Sequence, residues 1–374
     1  MRFGINAQRL AGQRLGVGRY IEYMFKYWDT MLHDNDVVNV YVQFPFDKNS
    51  LGLSDRFRVH HLKPNLGGKA WENVLLPIQS RNNDVLYGPS YTLPVLYPGR
   101  TVVAIHSVNE VAAGAHSAWY HLTYERLYRL SASKADVVIV PSESVKQDIT
   151  SYYGTPLDKL EIIGQGADVT FIPVEDEAFK RAARMRHVGE DVPYLLWVGK
   201  LSQRRNIPLL LEAFSILKRR DKIPHKLLLF GPNHLNLPLD ELTDKLGIRE
   251  SVIQTDGVLP DHRELIAVYN GADAYVNASL YEGFSMTLVE ALACGLPVIV
   301  SNRAALREIS GEAGIKVDEV TAEAFADAVS AVLRDPSLQA ELRRKSIERS
   351  AAYRWERFAR QTLDVLRRVG EQST

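Results

Sequence analysis

The chain reads as α/β throughout: two doubly wound domains, each a mostly parallel sheet with helices on both faces. Three observations predict this. Short runs that are apolar throughout, instead of alternating, recur along the chain, the pattern of strands covered on both faces. Stretches of helical patterning separate those runs. A polar, charged segment, Val174–Val192, divides them into two groups, and 374 residues exceed what one hydrophobic core organises.

Taken in order, strands are expected at RFGINA (2–7), VVNVYVQF (37–44), DVLYG (84–88), TVVAIH (101–106) and DVVIVPS (136–142) in the first half. In the second half they are expected at YLLWVGK (194–200), HKLLLFG (225–231), ADAYVNAS (272–279) and LPVIVSN (296–302). The polar segment carries no strand signal, so the domains are placed at 1–173 and 174–355. Trp355, Phe358, Leu363 and Leu366 stand at helical spacing, which makes 356–374 a terminal helix packing back toward the first domain.

Composition narrows the function. Lys plus Arg and Asp plus Glu both count 45, so no whole-molecule field favours nucleic acid or an anionic membrane. The single cysteine, Cys294, sits in an apolar run, which excludes an internal disulfide or a cysteine-rich zinc site and suits a reducing cytoplasm. The N-terminus lacks the apolar core of a signal peptide, and no run of about 18 apolar residues occurs. The sequence therefore reads as a soluble protein, or one resting on a membrane surface.

The chemistry concentrates in YEGFSMTLVEALACGLPVIVSN, Tyr281–Asn302. A strand is expected before it, LYEGF as the turn, and SMTLVEALAC as a helix stopped by Gly295 and Pro297. Glu282 and Gly283 thus fall at the carboxyl end of a parallel strand, where open α/β sheets bind ligands. The helix starting near Ser285 turns its free N–H groups to the same place, which suits a phosphate. Glu290 lies among Met286, Leu288, Val289 and Ala291, and a desolvated carboxylate needs donors. Sugar hydroxyls supply them, as does a nearby arginine or lysine. In YLLWVGKLSQRRN, Lys200 and Arg205 surround a second strand end, either as a solvated loop or as cations that neutralise a diphosphate.

These residues make the chain resemble the family-four glycosyltransferases, retaining enzymes of the GT-B fold, also called glycosyl transferases group 1. The motifs that carry the resemblance are EGFSMTLVE, with seven residues between its glutamates, and GVGRY, AIHSV, VPSESVKQDI, GQGAD, VGKLSQRRN and NGADAYVNASLYEGFS, in family order. The resemblance implies two Rossmann-like domains facing across a cleft, with acceptor bound by the first and donor by the second. It implies that Glu282 binds the transferred sugar and Glu290 the ribose. Backbone N–H groups around Gly283, Phe284, Ser285 and Met286 meet sugar and phosphates, and Lys200 and Arg205, beside Gly199, take the diphosphate. Val258 and Leu259 fall where the base is recognised, Gly16 and Gly18 in a loop that approaches the diphosphate, and His106 near the reacting sugar. Three departures stand out: Ser285 replaces a common glycine, Lys200 and Arg205 reverse the usual arginine and lysine, and Gln165 replaces a common asparagine.

The resemblance implies transfer of a hexose, with retention and without a metal, from GDP-mannose or a UDP-hexose to a glycan or lipid-linked acceptor in bacterial surface-polysaccharide (lipopolysaccharide) assembly. No cofactor is expected beyond the nucleotide-diphosphate sugar as co-substrate, and no nucleic-acid partner. Asp34–Asp36 (DND) matches a metal-binding spacing of another glycosyltransferase fold but reads as a turn. Trp119, Tyr120, Tyr124 and Tyr128 with Arg126, Arg129 and Lys134 form either a core helix or a peripheral contact at the inner face of the cell membrane. Trp71, Tyr87, Tyr91 and Tyr97 suit an acceptor groove or the core. The competing functions are a non-catalytic nucleotide-sugar binding or scaffolding protein and a nucleotide-sugar epimerase of the same architecture.

Overall fold

The computed structural model describes residues 1–11, 16–108, 124–233, 236–255 and 262–372. The chain forms two compact units, Met1–Gln165 with Trp355–Thr374, and Gly166–Arg354.

The sheet of the first unit comprises β1 (Arg2–Asn6), β2 (Val37–Val42), β3 (Phe57–His61), β4 (Val85–Gly88), β5 (Thr101–Ala104), β6 (Val137–Val140) and β7 (Leu160–Ile162). Their order is β3-β2-β1-β4-β5-β6-β7. The second unit holds β8 (Tyr194–Val198), β9 (Lys226–Phe230), β10 (Val252–Thr255), β11 (Ala274–Asn277), β12 (Val298–Ser301) and β13 (Gly314–Val317), ordered β10-β9-β8-β11-β12-β13. Every pairing in both sheets is parallel. All the expected strands are present, and β4, β5, β6, β8, β11 and β12 are buried along their whole length. The strands not expected, β3, β7, β10 and β13, are the four sheet edges. Each sheet reverses its order once, between β1 and β4 and between β8 and β11. Helices leave the two strands on opposite sides at such a point, which opens a crevice beyond their carboxyl ends.

The border between the units precedes the polar segment. Phe171 is buried in the core of the second unit, its ring 5.8 Å from that of Tyr269. The Asn270 side chain fastens the same stretch, donating to the Ile172 carbonyl at 3.1 Å and accepting from the Val174 N–H at 2.7 Å. Residues 166–173 therefore go with the second unit, and the polar segment is an ordinary helix within it, Glu177–Val188.

The helix Trp355–Glu371 belongs to the first unit, with Trp355, Phe358, Leu363 and Leu366 all buried. It packs on the helix Val17–Met31, where Trp355 stacks on Tyr23 with centroids 4.7 Å apart and rings 4° from parallel. Trp28 Nε1 donates to the Ala359 carbonyl at 2.8 Å. Asp36, the last residue of the DND turn, fastens the chain's first residue and the terminal helix together, taking the Met1 amine at 2.7 Å and Arg367 at 2.9 Å. Burial pushes its carboxyl up, but the Met1 amine, the His33 N–H and Arg367 outweigh that and hold it below its ordinary range.

Truncating Trp355 to alanine removes a fully buried indole, a change that costs about 3–5 kcal/mol in a core that relaxes little. Urea unfolding of Trp355→Ala should show the first unit melting earlier by that amount and the second unit unmoved.

Candidate functional site

At the reversal point of the second sheet, two loops leave adjacent strands, β8 and β11. The β8 loop begins with Gly199, whose φ of +146° and lack of a side chain are both needed: a Cβ there would lie 2.1 Å from Arg205 Nη1. Gly231, after β9, carries the same φ, and a Cβ on it would meet the Gly199 carbonyl oxygen at 2.0 Å. Hydrogen bonds from Gly199 N–H to the Phe230 carbonyl (2.9 Å) and from Leu201 N–H to the Pro232 carbonyl (3.0 Å) hold these turns together. The loop ends at Asn206, in the left-handed conformation, where the helix Ile207–Ile216 begins with proline in its first turn.

Beyond β11 the chain folds into the turn carrying Glu282, whose residue is only 4% exposed. A carboxylate so far from water needs strong donors. Arg204 Nη1 donates to Oε2 at 2.6 Å, Arg205 Nε lies 3.5 Å from Oε1, and the Ser279 hydroxyl donates to Oε1 at 3.3 Å. Arg204 also donates to the Tyr281 carbonyl at 2.8 Å, and its own carbonyl accepts from the Leu280 N–H at 2.8 Å. The two loops are thus tied by backbone and charge together. Sequence reading placed Lys200 and Arg205 here and missed Arg204; the three basic residues share one short loop, and nothing in their spacing says which of them turns to Glu282.

The cations differ in what they leave open. The Arg205 side chain is only 16% exposed, its guanidinium 5.5 Å from the Trp197 ring centre, and its Nη1 has no hydrogen-bond partner among the described residues. Lys200 is exposed and joins none of the ion pairs among the described residues. Gly283, Phe284 and Ser285 follow Glu282 directly. The Ser285 hydroxyl caps the helix Met286–Ala293 by accepting from the Leu288 N–H at 3.3 Å, so the serine in place of a common glycine has a local structural role. Phe284 packs edge-on to Tyr353, and Met286 is half-buried at the first helical position. The first N–H groups of this helix, and of Ile207–Ile216, have no partner within their own helices.

Glu290 lies deeper than its sequence context suggested. It is 1% exposed, and its Oε2 accepts from the Tyr269 hydroxyl at 2.9 Å. Burial, with Glu290 next in effect, pushes the Tyr269 hydroxyl and the Cys294 thiol well above their ordinary pKa values. Tyr269 therefore stays a donor and Cys294 a neutral thiol. Val258 and Leu259 lie outside the described residues.

Gly16, Gly18 and His106 belong to the first unit. Gly16 caps the helix Val17–Met31 with φ +50°, and Gly18 is buried at its second position. His106 follows β5. Burial pushes its pKa down to about 4, against the hydrogen bond it donates from Nε2 to the Pro89 carbonyl at 2.8 Å. Since a carbonyl only accepts, the proton of the neutral ring is on Nε2, and Nδ1 takes a hydrogen from Gln165 Nε2 at 3.3 Å. Both ring nitrogens are engaged by the protein, and Gln165 holds one of them. Of the four aromatic residues read as groove or core, Trp71, Tyr87 and Tyr97 lie in the core of the first unit, and Tyr91 is half-buried. Trp119 and Tyr120 lie outside the described residues, and none of the described helices is long and apolar enough to cross a membrane.

Residues 180–350 match the family described as glycosyl transferases group 1, and residues 15–171 match glycosyltransferase family 4. An O-antigen chain mannosyltransferase B of Escherichia coli is 24% identical over 75% of this chain and 73% of its own. A D-inositol 3-phosphate glycosyltransferase of Corynebacterium urealyticum is 28% identical over 62% of this chain, and the match spans 57% of that protein's length. Among solved structures, Anabaena HepE in complex with UDP-glucose superposes with a TM-score of 0.79 at 15% identity, covering 98% of this chain and 100% of that one. A sucrose-phosphate synthase from Thermosynechococcus elongatus gives 0.77 at 21% identity, over 99% of each chain. At such identities the likeness is one of fold, two parallel-sheet Rossmann-like units of the GT-B type.

Removing Arg204 takes the shortest donor from the Glu282 carboxylate and leaves it to Arg205 and Ser279. Arg204→Gln should lower stability by on the order of 3 kcal/mol, and Glu282→Gln in the same chain should restore part of it. A double-mutant cycle by urea unfolding checks this; additive losses would mean the two side chains are not coupled.

Proposed function

The chain belongs to the glycosyl transferases group 1 family, and from that premise we propose that it moves a hexose from a nucleotide-diphosphate sugar to a glycan or lipid-linked acceptor, with retention at the anomeric carbon and without a metal. One observation carries the reading. At the carboxyl ends of β8 and β11, a half-buried guanidinium whose Nη1 has no partner among the described residues, an exposed lysine and two helix N-termini stand around one loop pair. Unsatisfied positive groups in that density suit a diphosphate.

The chemistry follows from charge. As the glycosidic oxygen leaves, negative charge develops on the diphosphate, and fixed donors stabilise it more than they stabilise the starting donor. Lys200, Arg205 and the Met286–Ala293 helix N-terminus supply that field, which is the work a metal performs elsewhere. Glu282 is held as an acceptor for the sugar's hydroxyls, its two oxygens braced by arginines. A carboxylate so fixed is poorly placed to attack carbon, so attack by the acceptor from the face of the departing phosphate fits, that phosphate taking the acceptor's proton. Glu290, buried against Tyr269, has the part of accepting from the ribose hydroxyls beside the Tyr269 bond.

GDP-mannose and UDP-hexoses are the donors proposed. The mannosyltransferase relative and the UDP-glucose bound by Anabaena HepE support these two classes. A bacterial surface polysaccharide or lipopolysaccharide is the proposed destination, on the strength of the same O-antigen relative.

Thermal shift of the wild type against UDP, GDP, ADP and TDP sugars with a chelator present tests the reading. One series should raise the melting temperature, by about 2.7 kcal/mol of stabilisation at a hundred times its Kd. Lys200→Ala and Arg205→Ala should weaken that response for every sugar of the series alike, and Glu290→Ala should weaken it with the nucleotide alone. No shift with any series at millimolar concentration would contradict the proposal, and a shift without turnover would make the protein a binder.

A further inference from the structure

Strand β11 reads AYVN, and its last residue, Asn277, is a polar side chain with no exposure at all. An apolar side chain of similar shape would pack there with no polar group to satisfy, so a buried amide calls for a specific task. Its hydrogen bonds run in two directions. On one side Asn277 Oδ1 accepts from the Ser279 N–H at 3.0 Å and from the Ser279 hydroxyl at 2.6 Å. On the other, Nδ2 donates to the Tyr275 hydroxyl at 3.1 Å, and that hydroxyl lies 2.9 Å from the Thr287 hydroxyl in the first turn of Met286–Ala293. Tyr275 and Ser279 are as fully buried as Asn277.

One group in this chain of bonds cannot be reversed. The Ser279 N–H only donates, so the Asn277 atom facing it is the oxygen, and the NH2 group faces Tyr275. The Tyr275 oxygen therefore accepts, and its single hydrogen goes to Thr287 Oγ1. Burial pushes the Tyr275 pKa up, against the bond with Thr287 and the charge of Arg205, so that hydrogen is retained. The hydrogen of Thr287 itself is left to point onward, toward Ser285 Oγ at 3.4 Å or to a ligand at the helix N-terminus. At the other end, the Ser279 hydroxyl has one hydrogen and two acceptors in reach, Asn277 Oδ1 at 2.6 Å and Glu282 Oε1 at 3.3 Å. The shorter bond takes the larger share of it. Arg204 holds Oε2 at 2.6 Å, whereas Arg205 Nε approaches Oε1 only to 3.5 Å, so Oε1 is the oxygen that keeps capacity to accept.

We propose that Asn277 is a positioning residue that fixes the hydrogen-bond polarity of the sugar-nucleotide site: an acceptor at Glu282 Oε1 and a hydroxyl donor at the start of Met286–Ala293. It acts through Ser279 and Tyr275, and its role rests on the sugar transfer proposed above. The polarity suits the two halves of such a ligand. A sugar hydroxyl can donate to Oε1, and a phosphate oxygen, which only accepts, can take the hydroxyl at the helix start. With the amide reversed, the Ser279 hydrogen would turn to Glu282 and the Tyr275 hydrogen to Asn277. Thr287 would then donate to Tyr275, and both halves of the site would be mismatched.

Thermal shift of the full chain tests this with nucleoside diphosphates and nucleotide sugars of the UDP, GDP, ADP and TDP series, comparing wild type, Asn277→Leu and Tyr275→Phe. Tyr275→Phe keeps the ring and cuts only the branch to Thr287. It should weaken the nucleoside diphosphate by about ten-fold, the scale of one hydrogen bond to a charged group, and leave the further gain from the attached sugar unchanged. Asn277→Leu should reduce both the diphosphate response and the gain from the sugar. An amide that only supports the fold would lower the melting temperature of the free variants and leave their ligand affinities at the wild-type level. That result, or loss of the sugar's gain in Tyr275→Phe, would overturn the positioning role while the wild type's nucleotide response kept the function standing. If Asn277→Leu does not fold, the milder Tyr275→Phe decides alone. A wild type that answers to no nucleotide would sink the function and this role together.

Discussion

A carboxylate taken out of water costs several kcal/mol unless charge and hydrogen bonds replace its hydration. Glu282 meets that demand with Arg204, Arg205 and Ser279, and much of the second unit's carboxyl edge is arranged around it. Arg204 reaches it only because the β8 loop runs beside the β11 turn, fixed by the bond from Leu280 to the Arg204 carbonyl. Arg205 reaches it across Gly199, at a position where a side chain would collide, and Gly199 in turn leaves no room for one at Gly231. The glycines, the arginines and the glutamate form one mechanical unit. Its by-product is a guanidinium nitrogen, Arg205 Nη1, without a partner among the described residues, at the place where the sheet reverses.

The two sheets share a plan and differ in charge. Both reverse order beyond their third strand from one edge, and both gather polar side chains at that reversal. In the second unit the cluster is cationic around a single carboxylate, and its free groups are donors with positive charge. In the first it is the Glu72 carboxyl, held by amide and hydroxyl donors, with the charge of Arg9 acting on it as well. His106, also in the first unit, is neutral at ordinary pH because burial outweighs the hydrogen bond it gives to Pro89.

How much of this was legible in the sequence depended on burial. Strands covered on both faces announce themselves as unbroken apolar runs, and every such run became a strand. The edge strands did not: β10, VIQT, is half-buried at every position, and β3, FRVHH, has only its first residue fully buried. A strand with one neighbour needs no continuous apolar pattern, so period and composition pass over it. The border was misplaced for a related reason, since Phe171 in an otherwise featureless loop commits residues 166–173 to the second core. Glu282 and the helix after it were readable from turn and cap signals. The Arg204 contact was not, because it depends on how two loops lie side by side. The Tyr269 partner of Glu290 is a long-range contact of the same kind.

The central claim is that the crevice beyond β8 and β11 takes a diphosphate on Arg205 and Lys200. A crystal structure of the protein with the nucleoside diphosphate that stabilises it tests this most directly. The account requires phosphate oxygens within hydrogen-bond distance of Arg205 Nη1 and Lys200 Nζ and over the N-terminus of Met286–Ala293, with the Arg204–Glu282 pair intact. Phosphates bound elsewhere, with Arg205 Nη1 still unpartnered, would contradict it.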